Sequence, residues 1–339
     1  MPAPRTLYAK SGDVHLAYQA IGEGKRDIVL VLDWASHLEA VWEQPFVQEF
    51  ITSLNRYARV LWFDMRGVGL SDRVVEDAVA PEDWMEDVRA VMDSAGSTEA
   101  TLVAHGHGAQ MALMSAATHP DRVASLVLIN GFARFSRADD YPAGIPPAAA
   151  DTLLEGIVQT WGTGVTAAYL GPSIASDPGV QEWYGRVERF AATPGTALAK
   201  MRAILSLDVR KVLPLVRAPT LVVQNRDDAF VRAAHGRYLA EHVAMCVECH
   251  SERDAAGTII PGRKYMGGPI PTRPGWAQEW ADRAPRNAGL PGYDDAAALR
   301  LLTQGAIARD GRQLMPPMPR FRMTPEDAAD VIAFLRSIQ

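Results

Sequence analysis

Cysteine is scarce in this sequence, since 339 residues contain only two. Two thiols are too few for a disulfide framework, and a structural zinc site would need a second cysteine pair that is not there. Long apolar runs are also missing, because no stretch reaches the roughly 18 residues needed to span a membrane. Positive charge is not in excess either. The net charge of −6 at pH 7 argues against the basic surface by which nucleic acid is usually bound.

Both cysteines fall within one short segment, Cys246-Val-Glu-Cys-His250. In the pattern Cys-x-x-Cys-His, the two thiols can form thioether bonds to one porphyrin, and the histidine can bind the iron as proximal ligand. The segment therefore predicts one covalent haem c, held by Cys246 and Cys249 with His250 on the iron. Two alternatives stay open. A thiol redox pair would leave His250 without a role, and a disulfide between the cysteines would close a strained ring.

The first two thirds of the chain alternate between strand and helix patterns. Residues 27–33 form a continuous apolar run, as expected for a strand buried on both faces, whereas residues 13–20 alternate and predict a strand at a sheet edge. Further strands are predicted at 57–64, 98–105, 122–130 and 219–225, with helices at 81–96 and 106–118. This alternation predicts a parallel α/β sheet. Residues 132–206 are helical and irregular, and we expect them to form a cap between strands.

Four stretches of this region are specific enough to suggest a family. They are Tyr8-Ala-Lys-Ser-Gly-Asp-Val-His15, Trp34-Ala-Ser-His-Leu-Glu39, Phe63-Asp-Met-Arg-Gly-Val-Gly-Leu-Ser-Asp72 and His235-Gly-Arg-Tyr-Leu-Ala-Glu241. On these stretches, residues 7–243 resemble the α/β-hydrolase family, in detail the hydrolase domains that are fused to adenylate cyclases. The resemblance implies a doubly wound α/β sheet with a helical cap and a Ser–His–Asp catalytic triad.

The residues of that triad are not all present. The nucleophile should stand in a Gly-x-Ser-x-Gly turn, but the sequence has Ala104-His-Gly-His-Gly108 there. Gly106 occupies the nucleophile position and has no side chain with which to attack. Asp228 matches the triad acid, whereas the segment that should carry the catalytic histidine is replaced by the cysteine motif. Losing a triad serine or histidine lowers the rate by several orders of magnitude, so we assign no catalytic residue and do not expect an enzyme.

The remaining residues around this turn predict a binding pocket rather than a catalytic site. His105 and His107 are expected to be polar residues that fill the vacated pocket, with Trp34 as one of its walls. Such a pocket suits a small apolar ligand. The alternative is an active esterase-like hydrolase that uses an unusual route.

The C-terminal third contains further motifs besides the cysteine pair. They are Gly236-Arg-Tyr-Leu239, Tyr265-Met-Gly-Gly-Pro-Ile-Pro271 and Leu314-Met-Pro-Pro-Met-Pro319. With these motifs, residues 236–339 resemble class I c-type cytochromes, closest to the cytochrome subunits of sugar and alcohol dehydrogenases. The resemblance implies an all-α cytochrome c domain that exchanges electrons with a redox partner protein or dehydrogenase. It places the second axial ligand of the iron at Met318, with Met315 as the alternative and Met266 and Met323 as packing residues.

Three helices are expected in this domain. One leads up to the haem motif, one lies near 294–305, and the last begins at Thr324-Pro325 and carries Val331, Phe334 and Leu335 on one face. The resemblance implies that this face packs across the first helix near Gly236 and Tyr238. Expected pocket walls are Tyr265, Pro269, Ile270, Trp276 and Leu314, and expected propionate contacts are Arg263, Arg286 and Asn287. The sequence departs from the family at residues 287–291.

The two resemblances meet without a linker. The predicted domains are 1–235 and 236–339, and no Gly/Ser-rich or Pro-rich spacer separates them. The helix at this junction suits both families. Because the hydrolase-like part ends before its last strand, we expect the strand at 219–225 to have an open edge with apolar faces.

The first residues, Met1-Pro-Ala-Pro-Arg-Thr-Leu-Tyr8, lack the apolar stretch of a secretory signal. In bacteria, haem c is normally attached outside the cytoplasm, so a periplasmic location is expected if haem is attached. The sequence thus predicts an electron-transfer protein in which a c-type cytochrome follows a non-catalytic hydrolase-like domain used for docking or ligand binding. The alternatives are a hydrolase with some remaining activity and a chance fusion with no selected function.

Overall fold

The computed structural model of the chain describes residues 4–32, 35–74, 80–169, 176–225, 231, 233–242, 250–254, 259–260, 262–270, 281, 283–304 and 325–337. The chain divides into two compact units, Met1–Leu239 and Ala240–Gln339. The predicted domain boundary at 235/236 lies a few residues before this division. Among the described residues, no helix is both long and apolar enough to cross a lipid bilayer.

The first unit is built on a seven-stranded sheet with the order β1-β2-β4-β3-β5-β6-β7. Its strands are Leu7–Ser11 (β1), Val14–Ile21 (β2), Asp27–Val31 (β3), Arg59–Phe63 (β4), Ala100–His105 (β5), Val123–Ile129 (β6) and Thr220–Val223 (β7). The pairs from β4 to β7 are parallel, whereas β1 and β2 run antiparallel. The predicted α/β sheet is therefore confirmed, with an antiparallel hairpin added at one end.

The prediction that residues 13–20 form an edge strand is wrong. These residues form β2, which pairs with β1 on one side and β4 on the other. The polar–apolar alternation was misleading because Gln19 is fully buried. Its side-chain oxygen accepts a hydrogen bond from the indole nitrogen of Trp42 at 2.7 Å, which makes burial of this polar group tolerable.

Helices cover the sheet and form the cap. Those of the first unit are Pro45–Asn55 (α1), Pro81–Ser94 (α2), Gly108–Thr118 (α3), Pro147–Thr160 (α4), Pro178–Ala191 (α5), Pro194–Ser206 (α6) and Ala233–His242 (α7). Most begin at a proline, which suits the first helical position because no backbone donor is needed there. The cap helices α4 to α6 lie between β6 and β7 in the chain, where the sequence places them. From α6, the buried Lys200 donates a hydrogen bond to the carbonyl oxygen of Arg66 at 3.0 Å.

Strand β7 lies at one end of the sheet order. Among the described residues, no strand pairs with its outer edge. Its apolar residues Leu221 and Val223 are 37% and 40% exposed, which agrees with the open edge expected from a missing last strand.

The second unit has short β-strands and two described helices. Strands Gly268–Pro269 (β8) and Arg283–Ala284 (β9) pair antiparallel, and helices Asp295–Gln304 (α8) and Pro325–Ser337 (α9) follow. Its core contains Leu290, Ala298, Leu302, Ala328 and Ile332, with Val331 and Leu335 packed against them. On the surface, Arg336 binds the carboxylate of Asp295 and the carbonyl oxygens of Gly289 and Tyr293.

A charged cluster fixes the start of the cap to the segment that follows α6. The guanidinium of Arg210 pairs with Asp208 and Asp140 at 2.8 Å, and Arg134 donates to Asp208 at 2.9 Å. Burial raises the pKa of Asp208, but the hydrogen bonds from Arg210 and Arg134 outweigh it and lower the pKa to about 2. A carboxylate whose pKa is lowered by folding stabilises the folded state at every pH at which it is ionised.

We therefore expect the free energy of unfolding to fall as the pH drops from about 4, the usual carboxylate range in an unfolded chain, to about 2. In this window the unfolded chain takes up the proton first. Asp208→Asn should lose about 1–2 kcal/mol at pH 7 and flatten this part of the acid dependence, as measured by urea unfolding across pH. The control Asp151→Asn removes an exposed carboxylate of α4. Equal acid dependence in Asp208→Asn and the unaltered protein would contradict the assignment.

Candidate haem site and nucleophile elbow

His250 is held in one orientation within the second unit. Its side chain is 7% exposed, and Nδ1 lies 2.7 Å from the carbonyl oxygen of Pro285. Burial lowers the pKa of His250 despite the opposing effect of the hydrogen bond that its ring donates to the carbonyl oxygen of Pro285, so the neutral ring is favoured. Because a carbonyl can only accept, Nδ1 must carry the proton, and the lone pair is on Nε2. This is how metal-binding histidines are commonly oriented and tuned.

Two glycines let the backbone approach His250 closely. The amide of Gly267 donates to the carbonyl oxygen of His250 at 2.7 Å. A Cβ on Gly268 would lie 2.2 Å from the carbonyl oxygen of Ser251, and one on Gly267, whose φ is +81°, would lie 2.8 Å from that of Ala284. Side chains at positions 267 and 268 would push this segment away from the backbone at Ser251 and at Ala284. The Met-Gly-Gly-Pro motif is therefore explained by close packing.

Tyr265 joins the same loops. It is 5% exposed, and its amide donates to the hydroxyl of Ser251 at 3.1 Å. Its carbonyl oxygen accepts hydrogen bonds from the amides of Asn287 and Ala288 at 2.8 and 3.0 Å. The stretch at 287–291 that departs from the family closes a turn, since the amide of Leu290 donates to the carbonyl oxygen of Asn287 at 2.9 Å. The structure thus brings the predicted residues Tyr265 and Asn287 together beside His250.

The other predicted haem-site residues are placed less specifically. Arg263 is exposed and 3.8 Å from Glu252, and Nε of the exposed Arg286 donates to the carbonyl oxygen of Ala288 at 3.0 Å. Met266 packs with Tyr265 and Ala288, as expected of a packing residue. Pro269 is exposed and Ile270 is half-buried. The described residues do not include Cys246, Cys249, Trp276, Leu314, Met315, Met318 or Met323.

Pro285 is a residue of the candidate site that sequence reasoning missed. Its contribution is a backbone carbonyl, and every residue has one, so no residue type or spacing marks it. Only the pairing of Pro269 with Arg283 in β8 and β9 brings this segment to His250.

The first unit keeps the backbone of a nucleophile elbow between β5 and α3. Gly106 has a φ of +56°, and its amide donates to the carbonyl oxygen of Ile129 at 3.0 Å. A Cβ on Gly108 would lie only 2.0 Å from the carbonyl oxygen of Val31, so α3 begins in direct contact with β3. The sharp turn is therefore formed, but position 106 presents no nucleophilic atom.

The histidines beside Gly106 differ from the expectation. His107 is 2% exposed, and its ring meets that of Trp84 edge-on with 6.0 Å between centroids. It is therefore part of the packing against α2, and not a residue filling a pocket as predicted. His105 is half-buried. Asp228 and Trp34 lie outside the described residues.

Asp64 organises the loops on the same side of the sheet. Its fully buried carboxylate accepts hydrogen bonds from the hydroxyl of Ser36 at 2.7 Å and from the amides of Leu38 and Leu70 at 3.1 and 2.9 Å. Burial raises the pKa of Asp64 against the effect of these bonds. A Cβ on Gly69 would lie 2.1 Å from this carboxylate. The Asp-Met-Arg-Gly-Val-Gly motif is thus a structural feature of the fold.

Comparison with known proteins covers both units. Residues 38–256 match the family model of the alpha/beta hydrolase fold, and residues 233–339 match the model of cytochrome c. The two matches overlap at 233–256, which includes α7. The predicted order of a hydrolase-fold domain followed by a cytochrome c domain is therefore confirmed.

Individual relatives match the first unit. A probable esterase from Oryza sativa subsp. japonica is 26% identical over 66% of this chain and 82% of its own length. A karrikin insensitive 2 receptor from Petunia hybrida is 23% identical over 67% of this chain and 82% of its own. Among solved structures, an esterase from Exiguobacterium antarcticum has a TM-score of 0.61 at 21% identity, covering 71% of this chain and 88% of its own. That last likeness shows the fold alone.

We expect Asp64→Ala to lower the free energy of unfolding by about 3–5 kcal/mol, because it leaves the buried amides of Leu38 and Leu70 without an acceptor. Urea unfolding measures this change. The matched control is Asp72→Ala, since Asp72 is 49% exposed and its carboxylate pairs with the exposed His15 at 2.9 Å. This variant should cost less than about 1 kcal/mol. Similar losses in the two variants would argue against the structural role of Asp64.

Proposed function

Because the chain belongs to the α/β-hydrolase fold family and ends in a cytochrome c domain, we propose that it transfers electrons through one covalent haem c. Cys246 and Cys249 would hold the porphyrin as thioethers, and His250 and Met318 would be the axial ligands of the iron. The observation that carries this proposal is the hydrogen bond between His250 and Pro285, which leaves Nε2 as the metal-binding atom.

The residues around His250 fit the role of a proximal side. When bound, the haem supplies a reversible one-electron change between ferric and ferrous iron. The carbonyl oxygen of Pro285 fixes the plane of the imidazole and makes Nε2 a better donor. The fully buried Ser251 and the nearly buried Tyr265 and Ala288 keep water from this side of the ring. A dry, rigid environment limits rearrangement when the charge on the iron changes, which favours electron transfer to a redox partner.

For the first unit, we propose a non-catalytic role as a docking or small-ligand module. Gly106 keeps the elbow backbone without a nucleophilic side chain, and a relative named as a receptor is similar in sequence to this unit. The second candidate is an esterase-like hydrolase with an unusual route, and the relative named a probable esterase favours it. If haem is attached in the natural host, we expect a periplasmic location.

The first test is the visible spectrum of the full chain, produced with an export signal and a haem-maturation system. We expect a sharp α band in the reduced protein that survives acid-acetone extraction, because thioether-bound haem is not extracted. Met318→Ala should abolish the charge-transfer band of ferric Met–iron ligation and lower the reduction potential, whereas Met315→Ala should keep both. A colourless protein with two free thiols would refute the haem assignment, and loss of the band in Met315→Ala alone would refute Met318.

The second test restores a hydroxyl at the elbow. We expect Gly106→Ser to hydrolyse p-nitrophenyl esters no faster than Gly106→Ala, because a serine needs a base that this chain does not supply at the usual place. Both variants place a Cβ at positive φ, so each should lose about 1 kcal/mol of stability. Steady-state ester hydrolysis is the measurement. A serine-specific gain in turnover would instead support the hydrolase alternative.

A further inference from the structure

The sequence of helix α7 is included in both family matches. The hydrolase-fold match extends to residue 256, while the cytochrome c match begins at residue 233, the first residue of α7. The structural division between Leu239 and Ala240 falls inside this helix. The contacts of the side chains of α7 therefore show in which hydrophobic core its described face is buried.

The aromatic contacts of α7 belong to the hydrolase-fold unit. His235 and Tyr141 are both fully buried, and Nδ1 of His235 is 2.8 Å from the hydroxyl of Tyr141. The ring of Tyr238 meets that of Tyr141 edge-on, with 4.8 Å between centroids. One turn of the helix is thus tied to the loop at the start of the cap by a buried hydrogen bond and a ring contact.

The small and aliphatic residues of α7 pack in the same core. A Cβ on Gly236 would lie 2.8 Å from the Cβ of Gln224, so the helix touches the end of β7. Leu239 is fully buried, and its Cδ1 is 3.4 Å from the position of a Cβ on Gly131. Gln224 in turn donates to the carbonyl oxygen of Val231 at 2.6 Å. The stretch from Gly236 to Leu239 is therefore built into the first unit.

These are the residues that the cytochrome resemblance assigns to the first helix of the haem domain. Gly236 and Tyr238, near which the last helix is expected to pack, lie against Gln224 and Tyr141 of the first unit. A helix of about ten residues is not stable alone in water and depends on tertiary packing. The packing described for α7 comes from the hydrolase-fold unit, and the haem-binding motif begins at Cys246, a few residues after the helix ends.

We propose that the hydrolase-fold unit serves as the scaffold that holds the first helix of the cytochrome. The buried pair of Tyr141 and His235 then stabilises the haem unit as well as the hydrolase-fold unit, to which both residues belong. This inference rests on the proposed covalent haem. Because only three residues of the sequence separate the end of α7 from Cys246, loosening α7 should loosen the attachment of Met318 to the iron, and the coupling must act in both directions.

The test uses the haem-loaded full chain and Tyr141→Phe, which removes the hydroxyl bonded to His235. Two measurements are made under native conditions: amide hydrogen exchange in α7, and the rate at which imidazole replaces Met318 on ferric iron. We expect exchange in α7 to rise about tenfold, and ligand replacement to rise at least about threefold, because losing the buried hydrogen bond between Tyr141 and His235 favours local opening. Tyr238→Leu, which removes the ring contact, should act in the same direction.

The matched control is Trp42→Phe, which removes a buried hydrogen bond to Gln19 far from α7 in the sequence. It should change neither α7 exchange nor ligand replacement. Unchanged α7 exchange in both Tyr141→Phe and Tyr238→Leu would refute the scaffold. Faster α7 exchange with unchanged ligand replacement would show that the haem unit does not depend on α7, and would also refute it. An unaltered protein without covalent haem would overturn the proposed function itself, and the inference with it.

Discussion

A helix can bury a given face in only one core, and this constraint dominates the junction of the two units. In α7, His235, Gly236 and Leu239 are buried, and their described partners belong to the hydrolase-fold unit. Sequence matching assigns the same helix to a cytochrome. Both family models thus include the same ten-residue helix, and its buried side chains His235 and Leu239 have their described contacts within the hydrolase-fold unit.

The geometry around His250 depends on close contacts between backbone segments rather than on a large hydrophobic core. Gly267 and Gly268 admit the carbonyl oxygens of Ala284 and Ser251 at distances that any side chain would prevent. This contact brings the carbonyl oxygen of Pro285 to Nδ1 of His250. The orientation of a single imidazole thus follows from two glycines and a short β-pair, and it leaves one nitrogen available for a metal.

The backbone of the elbow keeps its geometry without a serine at position 106. Gly106 retains a positive φ, and Gly108 keeps the start of α3 in contact with β3, although no nucleophile is present. What maintains this geometry is packing and buried hydrogen bonds, among them those of Asp64 to Ser36, Leu38 and Leu70. These interactions do not require a serine at position 106, so the sheet and its loops form with a glycine there.

The sequence by itself determined the strands β2 to β7, the helices α2 and α3, the position of the cap and the glycine at the elbow, because each is written in local spacing and residue type. It did not predict β1 or α1, and the haem chemistry of the cysteine motif stays a prediction. It misplaced β2 at the sheet edge, since the polar Gln19 is buried by a hydrogen bond from Trp42. Tertiary structure alone decided which nitrogen of His250 is available to a metal and which residues of the first unit contact the buried side chains of α7. Both outcomes depend on contacts between distant residues, His250 with Pro285 and Tyr141 with His235, and no local pattern encodes such contacts.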